Sequence, residues 1–302
     1  MSGILGRQKR AIMQLTLENR FASYYPPKSQ LLKWVGNKQR FASEITRYFP
    51  TDYKRYFEPF LGSGAVLATV APRDGLGSDT FSPLMEIWST LKRNPNQLVE
   101  WYSERRERVK KEGKERVYES VKASYNNKPN GPDFLFLCRA CYGGIVRFRK
   151  VDGFMSTPCG AHMPISVEAF SQRVKEWKSR LKDVDFAACD YKDAFALAKS
   201  GDFIYCDPPY SDSQSILYGA QEFSLESLLS EIEKAKGKGV RVALSIDGHK
   251  KSGNHSVDLT FPVGLFDRTV YINCGTSMLR RFQLPGQALQ GELVADRLLL
   301  TY

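Results

Sequence analysis

The chain has 302 residues, 42% hydrophobic and 25% charged, enough for a core that needs neither disulfides nor metal, with no uncharged run able to span a bilayer. Its formal charge of +11 and pI near 9.3 argue against an acidic or membrane-buried protein and imply a polyanionic partner, because Lys and Arg gain affinity by releasing counterions from phosphates. The six cysteines are too sparse for a disulfide framework and read as reduced thiols of a cytoplasmic protein.

Residues 1–27 form a basic extension without the apolar stretch of a secretory signal, and Pro26-Pro27 stops any helix there. Leu31-Leu32-Lys33-Trp34-Val35-Gly36-Asn37-Lys38 follows as a loop, leading to a helix from Phe41 to Tyr48. Tyr53 to Phe57 reads as a strand, then Glu58-Pro59-Phe60-Leu61-Gly62-Ser63-Gly64 as a glycine turn, with an apolar helix from Ala65. A second strand, Gly75 to Ser78, ends at Asp79. Strand, glycine turn, helix, strand and acid is the order of a nucleotide-binding α/β unit.

The character then changes. Trp101 to Lys122 reads as one charged helical stretch, more simply a solvated face with paired charges than a phosphate track. Asp133 to Cys141 reads as an apolar helix, and Tyr142 to Gly160, rich in Gly, Arg and aromatics, as a hairpin. The α/β pattern resumes with strands at Val184 to Ala188, Asp202 to Cys206 and Val240 to Ile246. Phe266 to Ile272 and Asp296 to Tyr302 form a closing pair. The expected architecture is an α/β domain at 28–90 and 169–302 with an inserted module at 91–168.

The sharpest chemical signal is Phe203-Ile204-Tyr205-Cys206-Asp207-Pro208-Pro209-Tyr210, an apolar strand ending in an acid, two prolines and an aromatic. In open α/β sheets ligands bind beyond the carboxyl ends of the strands, so this tip faces a site. The two prolines lack backbone donors and leave carbonyls free to accept. Such a tip suits an aromatic amine, whose lone pair is delocalised into its ring. Hydrogen bonds from the amine to the Asp207 carboxylate and the Pro208 carbonyl would localise that pair and stabilise the positive charge that develops on attack. The Tyr210 face can stack on a base.

Asp207-Pro208-Pro209-Tyr210 resembles the catalytic motif of the amino-methyltransferases, and Phe57 to Gly64 resembles their glycine loop for S-adenosylmethionine. With Lys33-Trp34-Val35-Gly36-Asn37-Lys38 ahead of both and an insertion between them, residues 28–302 resemble the Dam-type D12 class of site-specific DNA adenine-N6 methyltransferases. Val70 to Asp74, Ser78-Asp79-Thr80 and Asp133 to Leu137 are also similar to the methyltransferase of the EcoRV restriction system.

The resemblance implies a class I S-adenosylmethionine-dependent methyltransferase fold, a mixed, mostly parallel sheet flanked by helices. The insertion would be a DNA-recognition domain, mainly helical with a β-hairpin. It implies that Trp34, Lys38, Phe60, Gly62, Gly64, Asp79, Asp190 and Asp207 form the cofactor site, Asp79 at the ribose hydroxyls and Asp190 at the adenine. Lys33, Tyr142, Ile145, Arg147 and Pro158 would meet double-stranded DNA, with Arg147 at a guanine edge and Tyr142 and Ile145 supporting the opened helix. Gly143 and Ala161-His162 depart from the Dam pattern, which leaves GATC and GATATC both open as recognition sequences.

Cys138-x-x-Cys141 and Cys159-x-x-His162 have the spacing of a zinc site, but Dam-type hairpins hold together without zinc, so no metal is expected. His249 and His255 read as surface loop residues. A monomer is expected, and a companion restriction endonuclease is left open. The competing readings are a methyltransferase acting on RNA or on a protein glutamine, and a non-catalytic DNA-binding relative. The basic insertion disfavours a peptide substrate, and the intact Asp79, Asp207 and Tyr210 disfavour a silent copy.

Overall fold

The computed structural model describes residues 24–209, 223–247, 261–276 and 293–302. The expected tip residue Tyr210, both loop histidines and residues 1–23 lie outside them.

Helix α1 (Ala42–Thr46) precedes strand β1 (Tyr56–Glu58), helix α2 (Ala65–Val70), strand β2 (Gly75–Asp79) and helix α3 (Ser82–Arg93). Three helices follow in succession, α4 (Pro95–Glu112), α5 (Lys114–Asn127) and α6 (Gly131–Ala140). An irregular stretch leads to α7 (Val167–Arg180), after which come β3 (Val184–Ala188), α8 (Tyr191–Leu197) and β4 (Phe203–Cys206). Helix α9 (Leu225–Gly237), β5 (Arg241–Asp247), β6 (Arg268–Thr276) and β7 (Leu293–Leu300) complete the described chain. Side chains of Asn94, Asn130, Ser166, Asp190 and Ser224 cap α4, α6, α7, α8 and α9, each accepting from a backbone N–H of the first turn.

The strands form one sheet in the order β3-β2-β1-β4-β5-β7-β6. Pairings among β1 to β5 are parallel, and β7 runs antiparallel to both β5 and β6. This is the expected α/β fold, a mostly parallel sheet closed by an antiparallel pair. Alternation along the strands sends Tyr56, Phe203, Tyr205 and Ala243 into one core, with Trp88 of α3 and Trp177 of α7. Their neighbours Phe57, Ile204, Cys206, Val242 and Leu244 enter a second core, under α8 and α9. Helices therefore cover both faces, as a central parallel sheet requires.

Two expectations about the insertion change. The charged stretch is two helices, not one, because Gly113 takes φ 90° and ψ 150° between α4 and α5, a conformation no helix interior accommodates. The hairpin has no regular strand pair. It holds through isolated antiparallel bridges, Cys141 with Cys159 and Phe148 with Met155, and a short 3₁₀ turn at Tyr142–Gly144. At its base, Gly160 donates from its N–H to the Ala140 carbonyl at 2.8 Å. A Cβ on Gly160 would stand 2.8 Å from the Cys141 carbonyl oxygen and 2.9 Å from that of Ala140. Both obstacles are backbone, so Gly160→Val is expected to cost about 1–3 kcal/mol by overpacking, read as a lower urea midpoint.

Most charges of α4 and α5 are spent within the protein. Arg108 pairs with Glu112, Lys110 with Glu107 and Lys122 with Glu119. Arg106 reaches the Pro164 and Ile165 carbonyls, and Lys114 those of Gly160 and Ala161. The expected junctions at 90/91 and 168/169 fall inside α3 and α7. Among the described residues no helix is long and apolar enough to cross a membrane.

Candidate active site

Strands β1 and β4 are adjacent and in register, Tyr56 opposite Phe203 and Phe57 opposite Ile204. The loops leaving their carboxyl ends, Pro59 to Gly64 and Asp207 to Pro209, therefore open into one space. This is the switch point of the sheet, where the chain runs outward in both directions and leaves a crevice. A cavity of about 520 Å³ lies there.

Of the expected cofactor residues, Trp34, Lys38, Phe60, Gly62, Asp79, Asp190 and Asp207 line this cavity, together with Pro208 and Pro209. Gly64 is not among the lining residues. It sits behind the loop as the left-handed N-cap of α2, with its would-be Cβ 3.1 Å from the Trp88 ring.

Gly62 is fixed from both sides. Its N–H donates to Asp79 Oδ2 at 3.1 Å, and its carbonyl accepts from Trp88 Nε1 at 3.2 Å. Its φ is +46°, and a Cβ there would stand 2.9 Å from Trp34 Nε1. Only glycine lets the backbone and the indole approach so closely. Gly62→Val is expected to push Trp34 into the cavity and weaken S-adenosylmethionine binding by about tenfold or more, as measured by calorimetry. Unchanged affinity would separate Trp34 from the binding site.

Asp79 ends β2 and also accepts from the Phe81 N–H at 3.1 Å. Burial pushes its carboxyl above the ordinary range, and the N–H groups of Gly62, Phe81 and Thr80 only partly offset this. Asp190 caps α8 by accepting from the Lys192 N–H at 2.9 Å. Phe60 stacks on Tyr191, with centroids 5.3 Å apart and planes 27° apart, and meets Phe223 edge-on. The crevice lining thus holds an aromatic stack together with the acids Asp79 and Asp190.

The floor holds charge. Glu58 at the end of β1 is buried and accepts from the Tyr56 hydroxyl at 2.7 Å. Burial drives its carboxyl well above the ordinary range, and the nearby Asp207 adds to the shift. Lys38 Nζ stands 3.2 Å from Asp207 Oδ1 and 3.1 Å from Asp296 Oδ2. Burial alone would depress the ammonium, but Asp207 and Asp296 outweigh it and hold Lys38 above the usual lysine range.

The expected DNA-contacting residues lie apart from the cavity and close to one another. Lys33 packs along Gly144, whose would-be Cβ falls 2.6 Å from Lys33 Cδ. The Tyr142 N–H donates to the Pro158 carbonyl at 2.9 Å, and the Arg147 N–H to Thr157 Oγ1 at 2.8 Å. Tyr142 is 50% exposed, Arg147 and Pro158 are exposed, and Ile145 is half-buried.

Burial raises the thiols of Cys138, Cys141 and Cys159, Cys141 to about 12, while His162 is exposed. Among the described residues no group of three or more His, Cys, Asp or Glu could hold a metal ion.

Sequence reasoning missed Glu58, Tyr191 and Asp296 as members of this region. Glu58 carried a usable signal, an acid closing a strand one residue before the Pro59 turn. Asp296 carried none, since its place depends on how β7 pairs.

The model of the D12 class N6 adenine-specific DNA methyltransferase family matches residues 34–259. A DNA adenine methylase of Vibrio cholerae serotype O1 is 27% identical over 227 residues, 71% of this chain and 79% of the relative. The type II methyltransferase M1.LlaDCHI of Lactococcus lactis subsp. cremoris is 26% identical over 230 residues, 70% of this chain and 79% of its own. An rRNA methyltransferase, aviRa from Streptomyces viridochromogenes, overlays 87% of this chain with 84% of its own at a TM-score of 0.37 and 11% identity, too loosely to bear on function. The family match takes in Trp34, the glycine loop, the insertion and Asp207-Pro208-Pro209, and the chain belongs to the D12 class of N6 adenine-specific DNA methyltransferases.

Proposed function

We propose that this enzyme uses S-adenosylmethionine to methylate the N6 amine of an adenine in a short duplex site, GATC- or GATATC-like, after turning that base out of the helix. The observation that carries the reading is the meeting of the β1 glycine loop and the Asp207-Pro208-Pro209 turn in one cavity of about 520 Å³.

The cavity residues suit the donor. The Phe60–Tyr191 stack offers an apolar face to an adenine ring, Asp190 flanks it, and Asp79 at the glycine loop suits vicinal hydroxyls. When bound, S-adenosylmethionine supplies a methyl group made electrophilic by its sulfonium, open to in-line attack by an amine.

The chain's own groups do the rest. Asp207 and the Pro208 carbonyl accept from the target amine and localise its lone pair. The ionised carboxylate then stabilises the positive charge that grows on the nitrogen, in a site whose dipoles are already placed. Holding both reactants in one crevice removes much of the entropic barrier. No strong base is required, because the amine becomes acidic as it is alkylated. Tyr210 completes the proposal as the ring on which the extruded base stacks.

Residues 91–168 act as the DNA-recognition domain and 28–90 with 169–302 as the catalytic domain. Lys33, Tyr142, Ile145, Arg147 and Pro158 form the contact surface. Arg147 is the specificity residue, its guanidinium matching the two acceptors of a guanine edge. The enzyme works as a monomer in the cytoplasm, with or without a companion endonuclease.

The test is transfer from labelled S-adenosylmethionine to duplex DNA of mixed sequence, with matched RNA as control and the modified positions mapped by sequencing. Methyladenine at one short motif is the expected outcome. Label on RNA alone, or on no nucleic acid, would overturn the proposal.

A further inference from the structure

Parallel strands all present their carboxyl ends to the crevice, but β7 is antiparallel to its neighbours, so it presents its beginning there instead. Asp296 lies near that beginning, opposite Asp247 of β5 and Ile272 of β6. Its side chain is buried beside the cavity, whose lining residues do not include it. A carboxylate so placed costs desolvation energy unless it is paired. Its partner is Lys38 Nζ, at 3.1 Å, and the same nitrogen stands 3.2 Å from Asp207 Oδ1.

We infer that Asp296 is a positioning residue for methyl transfer, acting through Lys38 on the carboxylate that receives the adenine amine. The inference rests on the role proposed for Asp207. Two physical effects support it. Lysine is a point charge on a flexible four-carbon stem, so a single carboxylate partner leaves many rotamers open. A second partner on the central sheet fixes where Nζ stands, and thereby the rotation of the Asp207 carboxylate whose Oδ1 it holds.

The other effect is charge. Glu58 beside Asp207 is driven toward its neutral form by burial. Among the described side chains the Lys38 ammonium is shared between two carboxylates, Asp207 and Asp296, so less of its positive charge opposes the charge that develops on the attacking nitrogen.

The role assigned to Lys38 from the sequence, contact with the cofactor, is thus only part of what it does. It also transmits the position and charge of a residue more than two hundred and fifty places away, |i−j| being 258.

The experiment is a double-mutant cycle on the full chain, with Asp296→Asn, Lys38→Gln and the pair, read as single-turnover methyl transfer to duplex DNA. Asp296→Asn is expected to lower kcat by about tenfold to a hundredfold, the weight of a hydrogen bond to a charged group, with KM for DNA unchanged. Asp296→Glu, which keeps the charge, restores most of the loss. In the Lys38→Gln background, removal of Asp296 changes kcat by less than about twofold, because it has no cation left to act through.

A wild-type kcat in Asp296→Asn overturns the inference. So does a loss that persists undiminished in the Lys38→Gln background, or a fall in kcat matched by an equal rise in KM for DNA. Should the single variant fail to fold, Lys38→Gln against the double variant still decides, since removing both charges leaves neither stranded. Asp207→Ala run alongside separates the two levels. If Asp207→Ala retains full activity the proposed chemistry fails, whereas if only the Asp296 variants do, the chemistry stands and the positioning role falls.

Discussion

Asp207→Ala is expected to lower kcat by roughly a hundredfold to a thousandfold, the scale seen when one preorganised group facing developing charge is removed. Affinity for S-adenosylmethionine is expected to change by less than about fivefold, an energy within RT ln 5. The asymmetry follows from position. Asp207 follows β4 and adjoins Lys38, while Asp79, Gly62 and the Phe60–Tyr191 stack lie along the loops after β1, β2 and β3. The variant is expected to fold, because Lys38 keeps Asp296 as a partner at 3.1 Å. Asp207→Asn is a sharper probe. It keeps an acceptor oxygen but loses the charge, so a partial loss would apportion catalysis between shaping the amine and stabilising its charge. Rapid-quench transfer with fluorescence titration of the donor measures both, and a near-normal kcat in Asp207→Ala would remove this residue from the chemistry.

The second large effect is on stability. Arg105 of α4 sends Nε and Nη2 to Asp133 Oδ1 at 2.9 and 2.6 Å and Nη1 to the Trp101 carbonyl at 3.0 Å. The Asp133 side chain is only 6% exposed, at the first turn of α6, and Asn130 Nδ2 donates to its other oxygen at 3.0 Å. Arg105→Ala strips the buried carboxylate of its cation and is expected to destabilise the protein by about 3–5 kcal/mol. Urea denaturation reads this as a fall in midpoint. Arg105→Met with Asp133→Leu removes both charges at similar volume and is expected to recover most of the loss. Failure of the double variant to recover would mean that the pair's geometry, rather than a stranded charge, holds α4 against α6.

The central fold was legible because its signals are local. An apolar strand, a glycine turn and an acid at the next strand's end occur within residues 53–79, and the Asp-Pro-Pro turn directly follows its strand. Such runs need no knowledge of what they pack against. The break at Gly113 was hidden, since the same charged helical pattern continues on both sides and a lone glycine is often tolerated within a helix. The hairpin was legible as a turn-rich reversal but not in its pairing, because Gly143 and Gly144, at φ 65° and 68°, replace regular pairing with a 3₁₀ turn. Asp296 was illegible for a different reason. Its contact with Lys38 spans almost the whole chain and depends on the direction of one strand, which periodicity does not report.

The segment ahead of Lys33 is tied to the helices behind it. Arg180 donates to the Tyr25 carbonyl at 2.6 Å, Trp177 to Ser29 at 2.8 Å, Arg173 to Gln30 at 2.8 Å and Arg139 to Leu31 at 2.7 Å. Of these carbonyls that of Leu31 is buried, and left without a donor it would cost about 1–3 kcal/mol. For anyone building chimaeras of this chain, these bonds bear on the cut points. An insertion transplanted from a relative, taken with α6 and α7 but without residues 25–31, would arrive with the wrong donors for a borrowed backbone. A graft that includes α6 and α7 therefore carries the short leading segment with it, distant though the two are in the gene, or their arginine and indole donors meet a borrowed backbone just ahead of Lys33.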